Sequence, residues 1–271
     1  MTARRGDAAQ IIWLSDLHYD ESPVLGHDPV ARVEAAIDYV NGHYGGADLC
    51  VISGDLVETA SAHSYTDLIG RLNRLAMPWT GVPGNHDRRA LFMDYIPRPG
   101  TTMPGFAQFA VDLPGLRVIG LDTLVEDKDH GWLCEARLDW LRAQLQTGGD
   151  IPTIVFQHHP PVDLGLPMLD PDRLHNGETL LNLLADFPAV KHLCFGHVHR
   201  PVSGSIEGLA YTGLRSALYQ APPPVPAWDW TTFKPVLEAP ELGVVTCAAD
   251  HIGIQTLPFC AATLGGAQTS G

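Results

Sequence analysis

Basic residues are scarce in this chain, and that scarcity is the first constraint on what it does. Seventeen lysines and arginines stand against 31 acidic residues, giving a net charge of -14. A surface for polymeric nucleic acid needs basic stripes that displace counterions from phosphates, so the composition argues against DNA or RNA as partners. An anionic substrate would need a local positive source instead, and bound metal ions supply one. Cysteine is also sparse. The five are Cys50, Cys134, Cys194, Cys247 and Cys260, and no C-x-x-C pair occurs. Cys50 and Cys194 lie inside apolar runs, where a thiol acts as a small buried hydrophobe. All five read as reduced thiols rather than a disulfide frame. Long apolar runs are missing too. The opening MTARRGDAAQ has two arginines but no apolar segment behind them, and Ile11–Leu14 is too short for a signal or membrane helix. The expected location is the cytoplasm, with no membrane contact.

What the chain does have is apolar content, 45% of 271 residues, enough for a sizeable core. Short apolar runs recur at Gln10–Leu14, Leu49–Ser53, Trp79–Val82, Arg117–Leu121, Thr153–Phe156 and His192–Phe195. Their length and β-branched content predict buried strands. Helical stripes fill the gaps: Val30, Val33, Ile37 and Val40; Leu68, Ile69, Leu72 and Leu75; Leu138, Leu141 and Leu145; and Leu180 to Leu184, opened by Asn176-Gly177 and stopped before Pro188. Strands alternating with helices imply parallel βαβ units in an α/β domain. The last third departs from this rhythm. Ser203–Tyr219 and Leu242–Leu257 read as strands with no helix between them, separated by the Pro-rich excursion APPPVPAWDW. Residues 1–260 are expected to form one domain and 261–271 a flexible tail.

Five polar clusters follow the predicted strands. They are SDLH with Asp16 and His18, SGD with Asp55, PGNHD with Asn85, His86 and Asp87, QHHP with His158 and His159, and GHVH with His197 and His199. In open α/β sheets the ligand site lies at the carboxyl ends of the strands, so these clusters should converge. In extended chain, residues i and i+2 point the same way, which would let Asp16 pair with His18 and His197 with His199. Gly54, Gly84 and Gly196 suit sharp turns and close approach at the strand ends. The donors are carboxylate, amide oxygen and imidazole, a set that suits Fe, Mn, Zn or Co. Seven donors exceed what one tetrahedral ion needs, so two ions are the simpler reading, and a carboxylate such as Asp55 could bridge them.

The order D-x-H, GD, GNHD, HHPP, GHVH resembles the calcineurin-like metallophosphoesterase superfamily, over residues 11 to about 200. Within it the chain is similar to the bacterial class III cyclic-nucleotide phosphodiesterases and the related glycerophosphodiesterase. It has GNHD rather than the GNHE of protein serine/threonine phosphatases, and GDLVETA where those have GDxxDRG. The stretches GWLCEARLDWLRAQL, HHPPVDLGLPMLDP and NGETLLNLLADFP point the same way. The resemblance implies a four-layer αββα sandwich of two mixed sheets flanked by helices, with the strand-rich last third completing the second sheet. It implies one metal on Asp16, His18 and His199, a second on Asn85, His158 and His197, and Asp55 as the bridge. It places His86 on the substrate side, touching the phosphate and protonating the leaving oxygen, with His159 as a packing or hydrogen-bonding neighbour.

The expected chemistry is hydrolysis of small phosphodiesters, such as cyclic nucleotides or glycerophosphodiesters, by in-line attack of a hydroxide shared by the two ions. A phosphomonoesterase is the alternative on the same fold. Asp87 reads either as orienting His86 or as a turn cap. Arg88, Arg89 and Arg200 sit beside the clusters but read as surface residues. Trp228 and Trp230 read as an aromatic wall, a core-edge anchor or a subunit contact. The last possibility goes with a homodimer or larger assembly, which the related diesterases often form. His130 lies in a polar loop that could rim the pocket, whereas His27, His43, His63, His175, His192 and His251 read as surface or satisfied residues.

Overall fold

The computed structural model describes residues 9–248 and 251–262. The expectations for the first eight residues, and for the tail beyond 262, lie outside these. The two tail residues that are described are tethered, since the Arg32 guanidinium donates to the carbonyls of Ala261 and Ala262.

Twelve strands, five α-helices and one 3-10 turn (Asp170–Asp172) form among the described residues. The first sheet contains β1 (Ala9–Leu14), β2 (Leu49–Ser53) and β3 (Trp79–Val82), linked in parallel by α1 (Pro29–Tyr44) and α2 (Ala62–Leu72). α3 (Arg89–Tyr95) leads out of it. The second sheet contains β4 (Thr101–Thr102), β5 (Phe109–Leu113), β6 (Leu116–Gly120), β7 (Thr153–Phe156) and β8 (Val190–Phe195). α4 (Glu135–Gly148) and α5 (Gly177–Ala185) join β6 to β7 and β7 to β8, again in parallel. β9 (Val202–Ile206) and β10 (Leu209–Gly213) extend that sheet as a hairpin, while β11 (Glu241–Ala248) and β12 (His251–Pro258) return to the first. The orders are β12-β11-β1-β2-β3 and β4-β5-β6-β7-β8-β10-β9.

Side-chain alternation along the strands explains the layering. Ile11 and Trp13 of β1, and Leu49 and Val51 of β2, face a cluster that also holds Val118, Ile154 and Phe156 from the second sheet. The intervening Ile12, Leu14, Cys50 and Ile52 face Val33, Ile37, Tyr65 and Leu68 of α1 and α2. On the far side, Ile119 and Val155 pack on Leu141, Leu145, Leu180 and Leu184 of α4 and α5. Both faces of each central strand are therefore apolar, as sheets covered on both sides require. The result is the αββα sandwich.

Several expectations change. Only β9 and β10 complete the second sheet; β11 pairs antiparallel with β1, Ala9 opposite Cys247, filling the edge that β2 leaves open. The strand region expected over Ser203–Tyr219 is a hairpin, turned at Glu207 and Gly208, both at positive φ, and it stops at Gly213 rather than Tyr219. Leu75 lies beyond the end of α2 yet stays buried. α3, β4 and β5 carry no stripe long enough to announce them. The Pro-rich excursion holds no helix or strand, as expected. No described helix is long and apolar enough to cross a membrane.

Candidate metal centre

The carboxyl ends of β1, β2, β3 and β8 open onto one cavity of about 340 Å³, and that of β7 is buried beneath it. Asp16 and His18 follow β1, Asp55 follows β2, Asn85 and His86 follow β3, His158 follows β7, and His197 and His199 follow β8. The parallel ladder runs on past β1, with Asp16 N–H donating to Gly54 O at 3.0 Å and His18 N–H to Asp55 O at 2.9 Å. Similarly, Gly196 N–H donates to His158 O at 3.1 Å and locks the second sheet's two contributions together.

Convergence is not achieved by extended alternation. Asp16, His18, Asp55, His197 and His199 all have positive φ, between 42° and 70°. Non-glycine residues there are strained by about 1–3 kcal/mol each, and such strain persists only where the surroundings over-determine it, typically at functional sites. Each left-handed residue swings its side chain off the strand direction and into the cluster. Close approach is bought with glycine: a Cβ at Gly54 would collide with the His158 ring, and one at Gly196 with Ser15 and Asp16.

The expected donors form a continuous chain of short separations. Asp16 Oδ1 lies 3.4 Å from His199 Nε2, which lies 3.0 Å from His18 Nε2. Asp55 Oδ2 stands between the two halves, 3.5 Å from His18 Nε2 and 3.3 Å from His158 Nε2. Asn85 Oδ1 is 3.1 Å from both His158 Nε2 and His197 Nδ1. All but Asn85 are buried.

The far sides of the rings decide which atoms face inward. His18 Nδ1 donates to Glu58 Oε2 at 2.7 Å, His158 Nδ1 to Ser53 O at 2.9 Å and His199 Nδ1 to Tyr219 O at 2.9 Å. Each bond fixes a tautomer that turns the Nε2 lone pair inward. Lone pairs of Asp16, Asp55, Asn85 and three rings thus confront one another, an arrangement that repels unless cations or protons lie between them. The residues fit a metal site on that ground. The electrostatics agree. Burial would raise the Asp55 carboxyl, but the histidines around it, His158 foremost, hold it well below the usual carboxylate range. Burial would lower His158, yet Asp55 draws it up to about 9. Burial drives His197 down to about 3.

Other expected residues fall into place. His159 has both ring nitrogens engaged, Nδ1 with Thr123 Oγ1 at 2.7 Å and Nε2 with Asp129 O at 3.0 Å, so no lone pair is left for the cluster. His86 Nδ1 donates to Glu58 O at 2.9 Å, and the ring lines the cavity. Burial disfavours its protonation, but Asp55 and Glu58 outweigh that and lift its pKa. Asp87 does not orient His86. Its buried carboxylate accepts from Gly84 N–H at 2.9 Å and from Tyr65 Oη–H at 2.6 Å, so it holds the loop. Arg88, Arg89 and Arg200 are paired with Asp127, Asp122 and Glu238. His130 stacks on His175 beside the cavity. Trp230 lines the cavity, whereas Trp228 packs behind it against Phe233.

The sequence reading missed Glu58, Tyr219, Phe233, Asp129 and Asp172. The last four line the cavity. Glu58 touches both His18 and His86, at 2.7 and 3.5 Å. A signal for it existed, since GDLVETA keeps a carboxylate where GDxxDRG has its second aspartate. No spacing rule points to the others.

A two-sheet sandwich whose strand ends gather Asp, Asn and His lone pairs is the architecture of a metal-assisted phosphoesterase. A family model described as calcineurin-like phosphoesterase matches residues 9–201, and the chain belongs to that family of hydrolytic enzymes. It is 31% identical over 258 residues to a probable cyclic nucleotide phosphodiesterase of Rhodopseudomonas palustris, covering 92% of each chain. It is 33% identical over 190 residues to the glycerophosphodiester phosphodiesterase GpdQ of Enterobacter lignolyticus, covering 69% of this chain and 68% of that one. Among solved structures, a dimetal phosphatase from Danio rerio shares the fold, with a TM-score of 0.65 at 15% identity, covering 93% of this chain and 99% of that one.

Proposed function

We propose that this chain is a binuclear metal-dependent phosphodiesterase that hydrolyses small phosphodiesters. The observation that carries the reading is the inward ring of lone pairs, split into two halves by Asp55. Asp16, His18 and His199 would hold one ion, Asn85, His158 and His197 the other, with Asp55 touching both. Bound cations would supply Lewis-acid charge on the phosphate oxygens and a water made nucleophilic near neutral pH.

The chain's own residues do the rest. His86 keeps Nδ1 on the Glu58 carbonyl, which leaves Nε2 to meet the leaving oxygen. A raised pKa suits it to donate a proton there. Glu58 ties that ring to His18, so acid and metal ligand share one anchor. The cavity wall of Leu169, Tyr219, Trp230 and Phe233 gives room and apolar contact to a second ester arm. No lysine or arginine is among the cavity's described lining residues. A diester monoanion needs less neutralisation than a monoester dianion, so the wall favours diesters. The names of the relatives, cyclic nucleotide and glycerophosphodiester phosphodiesterases, support the same class.

The test is a turnover panel with metal-free protein reconstituted with Mn, Fe, Zn or Co. We expect higher kcat/KM for bis(p-nitrophenyl) phosphate than for p-nitrophenyl phosphate at the same pH and metal. Cyclic nucleotides or glycerophosphodiesters should turn over, and long DNA or RNA should not. A clear preference for the monoester would replace this reading with a phosphomonoesterase.

A further inference from the structure

Two motif serines are left over once the ligands are assigned. Ser15 opens SDLH and Ser53 opens SGD. Both are completely buried, and they touch. The Trp13 indole N–H donates to Ser53 Oγ at 2.8 Å. Ser53 Oγ donates to Ser15 Oγ at 2.7 Å. Ser15 Oγ donates in turn to Asp16 Oδ2.

The direction of this chain is forced. An indole N–H only donates and a carboxylate only accepts, so each hydroxyl between them must accept on one side and donate on the other. The last bond is charge-assisted, the strongest kind in the series. The first donor is clamped in the inter-sheet core, where Trp13 meets Phe156 edge-on with centroids 5.7 Å apart. Ser15 is confined as well, because Gly196 packs against its hydroxyl so closely that no Cβ would fit. The other carboxylate oxygen, Oδ1, accepts from His197 N–H at 2.9 Å and looks toward His199 Nε2 at 3.4 Å.

We propose that Trp13, Ser53 and Ser15 are a positioning relay that fixes Asp16 as a one-oxygen metal ligand through Oδ1. The inference rests on the metal-centre reading above. A carboxylate with both oxygens unengaged can rotate and present either one, or both. Occupying Oδ2 from behind leaves a single oxygen and a single orientation. The relay serves one half of the cluster: its hydroxyls end at Asp16, while the other half meets this region through backbone groups, the Ser53 carbonyl that accepts from His158 Nδ1 at 2.9 Å and the His197 N–H on Asp16 Oδ1. Hydrogen-bond partners behind a ligand typically change metal affinity ten- to a hundred-fold.

The experiment titrates metal-free wild type, Ser15→Ala and Ser53→Ala with Co²⁺ alone. Chelator competition gives the affinity of each ion, the visible absorption of Co²⁺ reports its coordination, and thermal unfolding of the metal-free proteins reports the fold. In Ser15→Ala one ion should bind about ten- to a hundred-fold more weakly with a changed spectrum, and the other within about two-fold of wild type. Ser53→Ala, which keeps the Ser15 hydroxyl but removes its donor, should show the same asymmetry to a smaller degree. Unchanged affinity for both ions, or equal weakening of both, overturns the relay and leaves the metal centre standing. If Ser15→Ala does not fold, the same readings on Ser53→Ala decide. A wild type that takes up no Co²⁺ overturns the metal centre and the relay together.

Discussion

The floor of the cavity and its outer wall are made of different material. The floor consists of side chains at strand ends, almost all buried, with the ring nitrogens of His18, His158 and His199 pinned from behind. The wall is aromatic and looser. Tyr219 sits against His199 with centroids 4.5 Å apart, Phe233 lies 6.2 Å beyond it, and Trp230 lies 5.6 Å beyond that. Trp230 is 57% exposed and comes from a stretch without helix or strand. Hydrogen bonds hold the strained floor to one geometry, whereas the wall is built of ring contacts. That contrast suggests a division of labour in which the floor sets the reaction and the wall sets which ester arm is accepted.

The largest effect should come from breaking the floor at its centre. The Asp55 carboxylate lies within reach of both halves, 3.5 Å from His18 Nε2 and 3.3 Å from His158 Nε2. Asp55→Ala is expected to lower occupancy of both metals and cut kcat/KM by roughly a thousand-fold or more, since metal stabilisation of the transition state is worth several kcal/mol. Asn85→Ala should mainly weaken one ion. Elemental analysis decides, and two full equivalents in purified Asp55→Ala would refute the bridging role. The next effect lies at the border of floor and wall. His86→Ala should keep its metals but lose about a hundred- to ten-thousand-fold in kcat for alkyl leaving groups, the usual size of a general-acid contribution. The loss should shrink for nitrophenolate, which leaves without a proton. Equal losses for both would reduce His86 to a residue that positions phosphate.

The contrast between floor and wall also separates what was legible in the sequence from what was not. Every donor in the floor follows an apolar run by a few residues, so short-range order pointed to the clusters around Asp16, Asp55 and His158, while the choice of His158 over His159 came from the family resemblance. The strands were legible for the same reason: Leu49–Ser53, Trp79–Val82 and Thr153–Phe156 carry apolar residues on both faces. The backbone conformation was not. Extended alternation would bring Asp16 and His18 to one side, yet both are left-handed, a fact that depends on Gly54 O and Asp55 O reaching across from β2. Glu58 carried a signal only in the comparison of GDLVETA with GDxxDRG; its role comes from contact with His18, forty residues away in sequence, which no local pattern shows. The destination of β11 was hidden too, since nothing local says that it pairs with β1 rather than extending the hairpin of β9 and β10. Tyr219 was read as the end of a strand that in fact stops at Gly213, and Phe233 reaches the cavity from a segment that has no periodicity to read.

The smallest expected effect sharpens the comparison most, because it should alter choice without altering chemistry. Trp230 and Phe233 line the cavity, but neither touches the donor cluster, so replacing them should leave metal content at the wild-type value. An aromatic face against a flat substrate group is worth about 1–3 kcal/mol by alanine substitution, which is roughly a five- to hundred-fold change in affinity. Trp230→Ala and Phe233→Ala are therefore expected to raise KM within that range for diesters with a ring-bearing arm, such as a cyclic nucleotide, with kcat changed only slightly. Dimethyl phosphate offers no arm to the wall, so its kcat/KM should stay within about two-fold of wild type. Steady-state kinetics on both substrates, with metal content checked for each variant, separates the outcomes. A fall in kcat shared by both substrates would mean that the wall supports the floor and that the division of labour is false. An unchanged KM for the ring-bearing diester would mean that the arm lies elsewhere, with the acidic rim of Asp129 and Asp172 as the next surface to alter.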